Sequence, residues 1–167
     1  MNLETRIPAE ILSEIFHLLC DEPIDLGKLE NSSCLAEFPW AVGQVCRRWR
    51  MAFLSHPVLW TRLSLLDRRI HRHPRSVADF AEMERRSVIY LKRSGQLPLT
   101  ITIFTEFSWI DSPMVTICNM LLSYSNRWRK ADILVLSLAS SINDDALLEC
   151  RGRMPILESL STRIRRL

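Results

Sequence analysis

One short stretch with a large apolar surface constrains this chain more than any other part of its sequence. Between Val42 and Phe53 the apolar side chains recur at the spacing of one helix face, and three arginines occupy the other sides. A second apolar cluster, Val58-Leu59-Trp60, follows directly after Pro57. Because so much apolar and aromatic surface has to be buried, the fold and the function depend on what covers it.

The composition is that of a folded protein without a membrane span. Of 167 residues, 47% are hydrophobic and 25% are charged, and no apolar run approaches the roughly 20 residues of a membrane-spanning helix. The N-terminus has no features of a secretory signal. The five cysteines are odd in number and stand mostly among apolar residues, as reduced thiols do. We therefore expect a cytoplasmic or nuclear protein that does not associate with a membrane.

The charge changes sign near residue 60, which indicates a domain boundary. Residues 1–60 contain five Lys or Arg and eight Asp or Glu, whereas residues 61–167 contain 17 and 11. The sequence predicts a helical module at 1–65 with a loop insertion at about 21–38. A basic linker follows at 66–75. Residues 76–167 are predicted to form an α/β region that resembles leucine-rich repeats, and we expect this repeat array to be incomplete.

The pattern of the first part is helical throughout. Pro8 is well placed at a helix start, and the apolar face that follows includes Ile11, Leu12 and Ile15. A second helix is predicted from Pro39 to about Leu54. A short third helix is predicted around Val58–Arg62, after the break at His56-Pro57. These three helices form the predicted N-terminal module.

The second part alternates between strand and helix patterns. Strands are predicted at about 97–103 and 132–138, separated by a helix whose start Pro113 marks, and a helix before them ends at Gly95. Leu134 and Leu157 lie 23 residues apart, within the period of a leucine-rich repeat. The predicted fold class is α+β and mainly helical: a three-helix module followed by a short strand–helix layer that resembles degenerate leucine-rich repeats.

Three separated blocks of the first 60 residues resemble an F-box. They are, in chain order, Ile7–Phe16, Val45–Arg50 and Pro57–Trp60. Their residue types match the family's Leu-Pro-initiated helix, with Ile7 in place of Leu, its Val-Cys-basic-basic-Trp helix and its final Leu-Trp turn. The longer segment between the first two blocks is similar to an insertion in fungal F-box-like proteins. Tyr90–Leu99 and Asn126–Trp128 resemble the leucine-rich continuation of those fungal chains.

The resemblance implies a substrate-recruiting adaptor that is not an enzyme. F-box modules dock on the Skp-type linker of an SCF-type cullin–RING ubiquitin ligase, while the rest of the chain recruits a protein substrate, whose identity the sequence does not give. A module this small cannot bury all its apolar faces internally, and an exposed apolar patch marks an interface. We expect the linker-facing surface and the core beneath it to consist of Pro8, Ile11, Leu12, Ile15, Val45, Cys46, Trp49, Leu59 and Trp60. The sequence does not divide this set into contact and core residues.

No motif of the sequence predicts catalysis. With only four glycines, a phosphate-binding loop is not expected, and no nucleophile–base arrangement can be identified. The spacing of histidines and cysteines matches no zinc site. We therefore expect no catalytic residue, no cofactor and no metal.

Two other functions compete with the adaptor. A nucleic-acid-binding module would use the basic run Arg68–Arg75 or the helix around Arg47–Arg50. However, the basic residues are scattered and the helix belongs to the acidic part of the chain, so nucleic acid is an unlikely partner. The other alternative is a repeat-type interaction scaffold unrelated to ubiquitin.

Overall fold

One sheet of five parallel strands extends through the chain from Ile24 to Arg166. The computed structural model describes residues 7–19, 23–26, 40–67, 77–105, 114–137, 150 and 152–166. The strands are β1 (Ile24–Asp25), β2 (Arg62–Asp67), β3 (Leu99–Thr105), β4 (Trp128–Ser137) and β5 (Ser159–Arg166). The helices are α1 (Ala9–Leu19), α2 (Trp40–Val45), α3 (Arg47–Leu54), α4 (Val77–Arg93) and α5 (Met114–Ser123), with 3₁₀ helices at Pro57–Trp60 and Ser125–Arg127.

The strands lie in the sheet in the order in which they occur in the chain, and each neighbouring pair is parallel. Connections between parallel neighbours are right-handed in nearly all proteins. A chain that always steps in the same direction therefore lays its connecting helices on one face of the sheet. The same order brings the first residues of β2, β3 and β4 together at one end, where Thr100 lies between Arg62 and Lys130.

Alternate side chains of the central strands form the core beneath the helices. On β3, Ile101 and Ile103 are buried, whereas Thr102 between them is only half-buried. Leu63 of β2 and Ala131 of β4, which flank Ile101 in register, are buried as well. The two faces of the sheet thus differ in burial, and the more deeply buried one belongs to the core.

The helices cover this core with apolar side chains spaced three or four residues apart. Met83 and Tyr90 of α4 and Leu121 of α5 are buried in the same continuous cluster as the strand residues. Leu12 and Phe53, from helices of the N-terminal part, belong to that cluster too. One core therefore joins the first 60 residues to the sheet.

The end of α4 is closed by a buried arginine. Gly95 has a φ of 59°, the left-handed conformation that glycine adopts after a helix, as predicted. Arg127 Nη2 donates to Ser94 Oγ at 2.7 Å and to the carbonyl oxygen of Leu97 at 2.8 Å. Arg127 thereby fastens the start of β4 to the turn between α4 and β3.

The predicted fold class is wrong. The sequence predicts a mainly helical α+β chain with a three-helix N-terminal module, but the five-stranded parallel sheet takes two of its strands from that part. β1 lies in the predicted loop insertion, and β2 occupies the end of the predicted module and the first two residues of the linker at 66–75. The segment Leu63-Ser64-Leu65-Leu66 is too short for its periodicity to distinguish a strand from a helix.

The predicted repeat frame is wrong as well. Leu134 and Leu157 do not occupy equivalent positions, because Leu134 pairs with Arg163 and Leu157 precedes β5. The leucine spacing in the sequence therefore does not follow the strand register.

Several single elements lie where the sequence predicts them. These are α1 after Pro8, α4 before Gly95, α5 after residue 113, and β3 and β4 within a few residues of their predicted bounds. Residues 27–39 and 68–76 lie outside the described residues. The extent of the loop insertion and of the basic linker, and the division at residues 65 and 76, therefore stay predictions.

Candidate partner-binding surface

Helix α1 carries more apolar side chains than the interior takes up. It begins directly after Pro8, whose carbonyl oxygen accepts a hydrogen bond from Leu12 N at 3.1 Å. Leu12 and Phe16, four residues apart, are fully buried, whereas Ile11 is 51% exposed. Leu18, seven residues after Ile11 and on the same side of the helix, is 73% exposed. An exposed apolar strip therefore lies beside the strip that anchors the helix.

Cys46 interrupts the single helix predicted from Pro39 to about Leu54. Its backbone is extended, with φ −158° and ψ 170°, and its thiol accepts a hydrogen bond from Trp49 N at 3.5 Å. An acceptor at this position satisfies one of the unpaired N–H groups at a helix start. α2 consequently ends at Val45, whose side chain is 54% exposed. Cys46, one of the predicted partner-binding residues, is thus the N-cap of α3.

Trp49 lies at the border between core and surface. Its ring meets the ring of Phe16 edge-on, with centroids 5.5 Å apart. The ring of Phe16 also packs against the ring of Phe53, with centroids 6.3 Å apart. An aromatic cluster therefore holds α3 on α1. Because Trp49 is only half-buried, the same ring that fixes α3 also keeps surface exposed to solvent.

Leu59 and Trp60 belong to the core. Both are buried. The ring centroid of Trp60 lies 4.7 Å from that of Phe53 and 5.3 Å from that of Tyr90, on which Trp60 stacks. The guanidinium of Arg93 lies 4.6 Å from the centre of the Trp60 ring, and burial lowers the pKa of Arg93. These contacts fasten the N-terminal helices to α4 and leave Trp60 no exposed surface.

The nine predicted partner-binding residues therefore fall into three groups. The exposed group is Pro8, Ile11 and Val45; the half-buried group is Ile15, Cys46 and Trp49; and the buried group is Leu12, Leu59 and Trp60. We call the first two groups the N-terminal apolar surface. The helices that carry it contact one another, α1 with α3 and α2 with α3. Of the nine predicted residues, only these six have side-chain surface that a partner can touch.

The predicted set misses three exposed apolar side chains of the same region, Leu18, Met51 and Val58. The spacing of Leu18 from Ile11 is a signal for the exposed strip of α1 that could have identified it. Met51 carries no comparable signal, because its neighbours in the sequence include arginines. Whether an apolar side chain can contact a partner depends on its exposure, and its exposure depends on how the helices pack.

Basic side chains border the N-terminal apolar surface. Arg47, Arg48 and Arg50 of α3 are exposed, and Arg50 Nε donates to the carbonyl oxygen of Gly43 at 2.6 Å. That bond ties α3 to α2 across the break at Cys46. Charges at the rim of an apolar patch guide an acidic partner more than they hold it.

Two kinds of site are not found in the part of the chain that the structure describes. It contains no group of three or more His, Cys, Asp or Glu side chains placed to hold a metal ion. It also contains no helix of the length and apolar character needed to cross a membrane. A search of protein-family models, curated proteins and solved structures finds no match to this chain.

Proposed function

We propose that the chain is the substrate-recruiting adaptor subunit of an SCF-type cullin–RING ubiquitin ligase and docks on the Skp-type linker through its N-terminal apolar surface. The observation that carries the proposal is the exposure of Ile11 and Val45, each about half exposed, beside the buried Leu12 and Val42. Apolar surface next to a well-anchored core is stabilised when a partner covers it. Catalysis belongs to the enzymes of the ligase, and the adaptor acts in the cytoplasm or the nucleus.

The buried residues in and between the F-box-like blocks support this role indirectly. Leu12, Phe16 and Phe53 hold α1 and α3 in fixed positions, so the exposed side chains need little ordering when the linker binds. Trp49 combines a rigid ring with a half-exposed position, which is typical of residues that dominate an interface. Its truncation to alanine would cost about 2–4 kcal/mol of binding.

Co-purification with the Skp-type linker tests the proposal. The test variant is the double substitution Ile11→Asp and Val45→Asp, which places charges on exposed positions and leaves the core intact. The matched control is Val77→Asp and Val88→Asp, because both valines are exposed on α4. We expect the wild-type chain and the control to retain the linker and the test variant to lose at least tenfold in affinity.

Buried positions are unsuitable for this experiment. Leu12→Ala would lower the free energy of unfolding and reduce binding for that reason alone. If the test variant and the control bind the linker equally well, the N-terminal apolar surface is not the docking site. If the wild-type chain binds no Skp-type linker at all, the adaptor function is wrong.

The second candidate is an interaction scaffold unrelated to ubiquitin. The order of the strands favours it, since a sheet built by stepping in one direction is the construction used by repeat-type binding proteins. Such a scaffold would bind its partner without the linker. A wild-type chain that fails to bind the linker but captures another protein would decide for the scaffold. The basic run proposed for nucleic acid, Arg68–Arg75, lies outside the described residues.

A further inference from the structure

A groove opens where the starts of three neighbouring strands meet the end of α1. Its volume is about 360 Å³, within the range of pockets that bind ligands. Arg62 of β2, Thr100 of β3 and Arg129 and Lys130 of β4 line one side, and Leu18 of α1 lines the other. The parallel order of the strands creates this site, because strands in register begin at the same end of the sheet. We call it the basic groove.

A bulge in β4 doubles the positive charge that this strand contributes. Leu99 pairs with Trp128 but Thr100 pairs with Lys130, so Arg129 is an extra residue between two paired positions. In a regular strand, Arg129 and Lys130 would point to opposite faces. The bulge changes the direction of the side chains, and both residues line the groove.

The described residues that line the groove carry a positive charge. Arg62, Arg129 and Lys130 are all exposed, and no carboxylate of the described residues lines the groove. Arg129 forms a long ion pair with Glu158, whose Oε2 lies 4.0 Å from Arg129 Nε, with both side chains at least half exposed. A pair of this length in solvent is worth little. The groove therefore attracts an anionic ligand.

The wall away from the strands contains apolar side chains beside His17 of α1. Leu18 is 73% exposed, Val58 is also exposed, and both line the groove. Between them and the cations, the Thr61 hydroxyl donates to the carbonyl oxygen of Val58 at 2.7 Å. An inorganic anion would leave the apolar side chains of this wall uncovered. A matching ligand carries negative charges and at least one apolar side chain.

Nucleic acid matches this lining less well than a peptide does. Single-stranded nucleic acids bind to grooves in which aromatic rings stack on the bases. The residues that line the groove, among those described, include no Phe, Tyr or Trp. An acidic peptide uses both walls, with carboxylates on the cations and an aliphatic side chain on Leu18 and Val58.

We propose that the basic groove binds an acidic peptide segment of a partner protein, with an aliphatic side chain of the peptide against Leu18 and its carboxylates against Arg62, Arg129 and Lys130. Assigning this partner as the recruited substrate rests on the proposed adaptor function, but the peptide binding does not. Half of the residues that line the groove come from the starts of strands, and none of them belongs to the N-terminal apolar surface.

Fluorescence anisotropy with labelled probes tests the proposal on the full chain. The probes are the peptide Glu-Asp-Glu-Leu-Asp-Glu, its amide counterpart Gln-Asn-Gln-Leu-Asn-Gln, and a single-stranded oligonucleotide. We expect the acidic peptide to bind at least tenfold more tightly than the amide peptide, and its affinity to fall as salt is added. We also expect it to bind more tightly than the oligonucleotide.

Matched variants locate the binding site. Arg129→Gln with Lys130→Gln should weaken binding of the acidic peptide about tenfold, since two charge-assisted contacts are lost. Lys92→Gln with Arg153→Gln changes the charge equally at exposed positions outside the groove and should have no effect. Leu18→Ala should weaken binding about threefold, and Val88→Ala should not.

The remaining outcomes contradict the proposal. It is wrong if the acidic peptide does not bind at concentrations up to about 1 mM, if the amide peptide binds equally well, or if the groove variant and its control behave alike. Tighter binding of the oligonucleotide than of the peptide would identify the groove as a nucleic-acid surface instead.

Co-purification of the Skp-type linker is measured in parallel. A chain that binds the peptide but not the linker refutes the adaptor function and not the groove; the reverse result refutes the groove alone.

Discussion

The indole ring of Trp60 stacks on the phenol ring of Tyr90, with centroids 5.3 Å apart and ring planes 29° from parallel. Trp60 ends the N-terminal helical part, and Tyr90 lies in the last turn of α4. Phe53 packs on Trp60 at 4.7 Å, and the guanidinium of Arg93 lies over the indole. This stack is therefore the main side-chain connection between the candidate partner-binding helices and the helix that covers the sheet.

We predict that Trp60→Ala lowers the free energy of unfolding by about 3–5 kcal/mol, because it removes a fully buried ring and leaves a cavity between Phe53 and Tyr90. Urea unfolding of the purified chain measures the change. Val77→Ala, at an exposed position of α4, serves as the control and should change stability by no more than about 0.5 kcal/mol. A loss below about 1 kcal/mol at Trp60 would show that the stack is not a main connection.

Arg127 supports the second prediction, which concerns the end of α4. Arg127→Met should lower the free energy of unfolding by about 2–3 kcal/mol, because it leaves the buried hydroxyl of Ser94 and the part-buried carbonyl oxygen of Leu97 without their donor. Arg127→Lys keeps the charge but not the forked geometry, so it should recover only part of the loss. Arg129→Met, at an exposed neighbouring position, is the control for urea unfolding. Equal stability of Arg127→Met and the control would contradict the assignment.

The parts of the fold that the sequence predicts are those with a local signal. α4 and α5 have long apolar faces with clear ends, and apolar residues of β3 alternate with threonine over Leu99–Ile103, so the existence of these elements follows from periodicity. β1 and β2 have no such signal. Two residues in β1 and six in β2 become strands because the sheet pairs with them, a long-range effect that overrides local preference. Missing these two strands made the fold class wrong.

The candidate surface could be predicted by residue type but not by exposure. Ile11 and Leu12 are adjacent and chemically similar, yet one is half exposed and the other is buried. The break between α2 and α3 depends on the conformation of Cys46, which no periodicity indicates. The basic groove could not be predicted from the sequence. Its residues are far apart in the chain, and a bulge in β4 places both Arg129 and Lys130 in its lining.

The third prediction concerns the role of Cys46 as the N-cap of α3. Its thiol is a weak acceptor at 3.5 Å from Trp49 N. Cys46→Ser provides a better capping oxygen and should raise the free energy of unfolding by about 0.5 kcal/mol, whereas Cys46→Val removes the cap and should lower it by about 1 kcal/mol. Thermal unfolding of the two variants measures both changes. The same stability for serine and valine would show that capping does not contribute at this position.

The last prediction concerns pH and the acidic side chain of Glu82 on α4. Arg85 donates two hydrogen bonds to this carboxylate, at 2.7 and 2.8 Å, and Arg86 donates one at 2.9 Å. The hydrogen bonds from Arg85 are the largest cause that lowers the pKa of Glu82 from 4.5 to about 2. A carboxyl with a lowered folded-state pKa stabilises the fold above the unfolded-state pKa, and this contribution disappears as the pH falls toward the folded-state value.

Glu82→Gln should therefore be less stable than the wild type at about pH 7, by roughly 0.5 kcal/mol because the pairs lie on the helix surface and are screened. This difference should shrink as the pH falls from about 4.5 to about 2, where the unfolded wild-type chain takes up a proton before the folded chain does. Urea unfolding at several pH values measures it. Glu84→Gln, which neutralises an exposed carboxylate on the same helix, is the control. A Glu82 difference that stays constant with pH, or that grows in acid, would rule out the ionised carboxylate as its source.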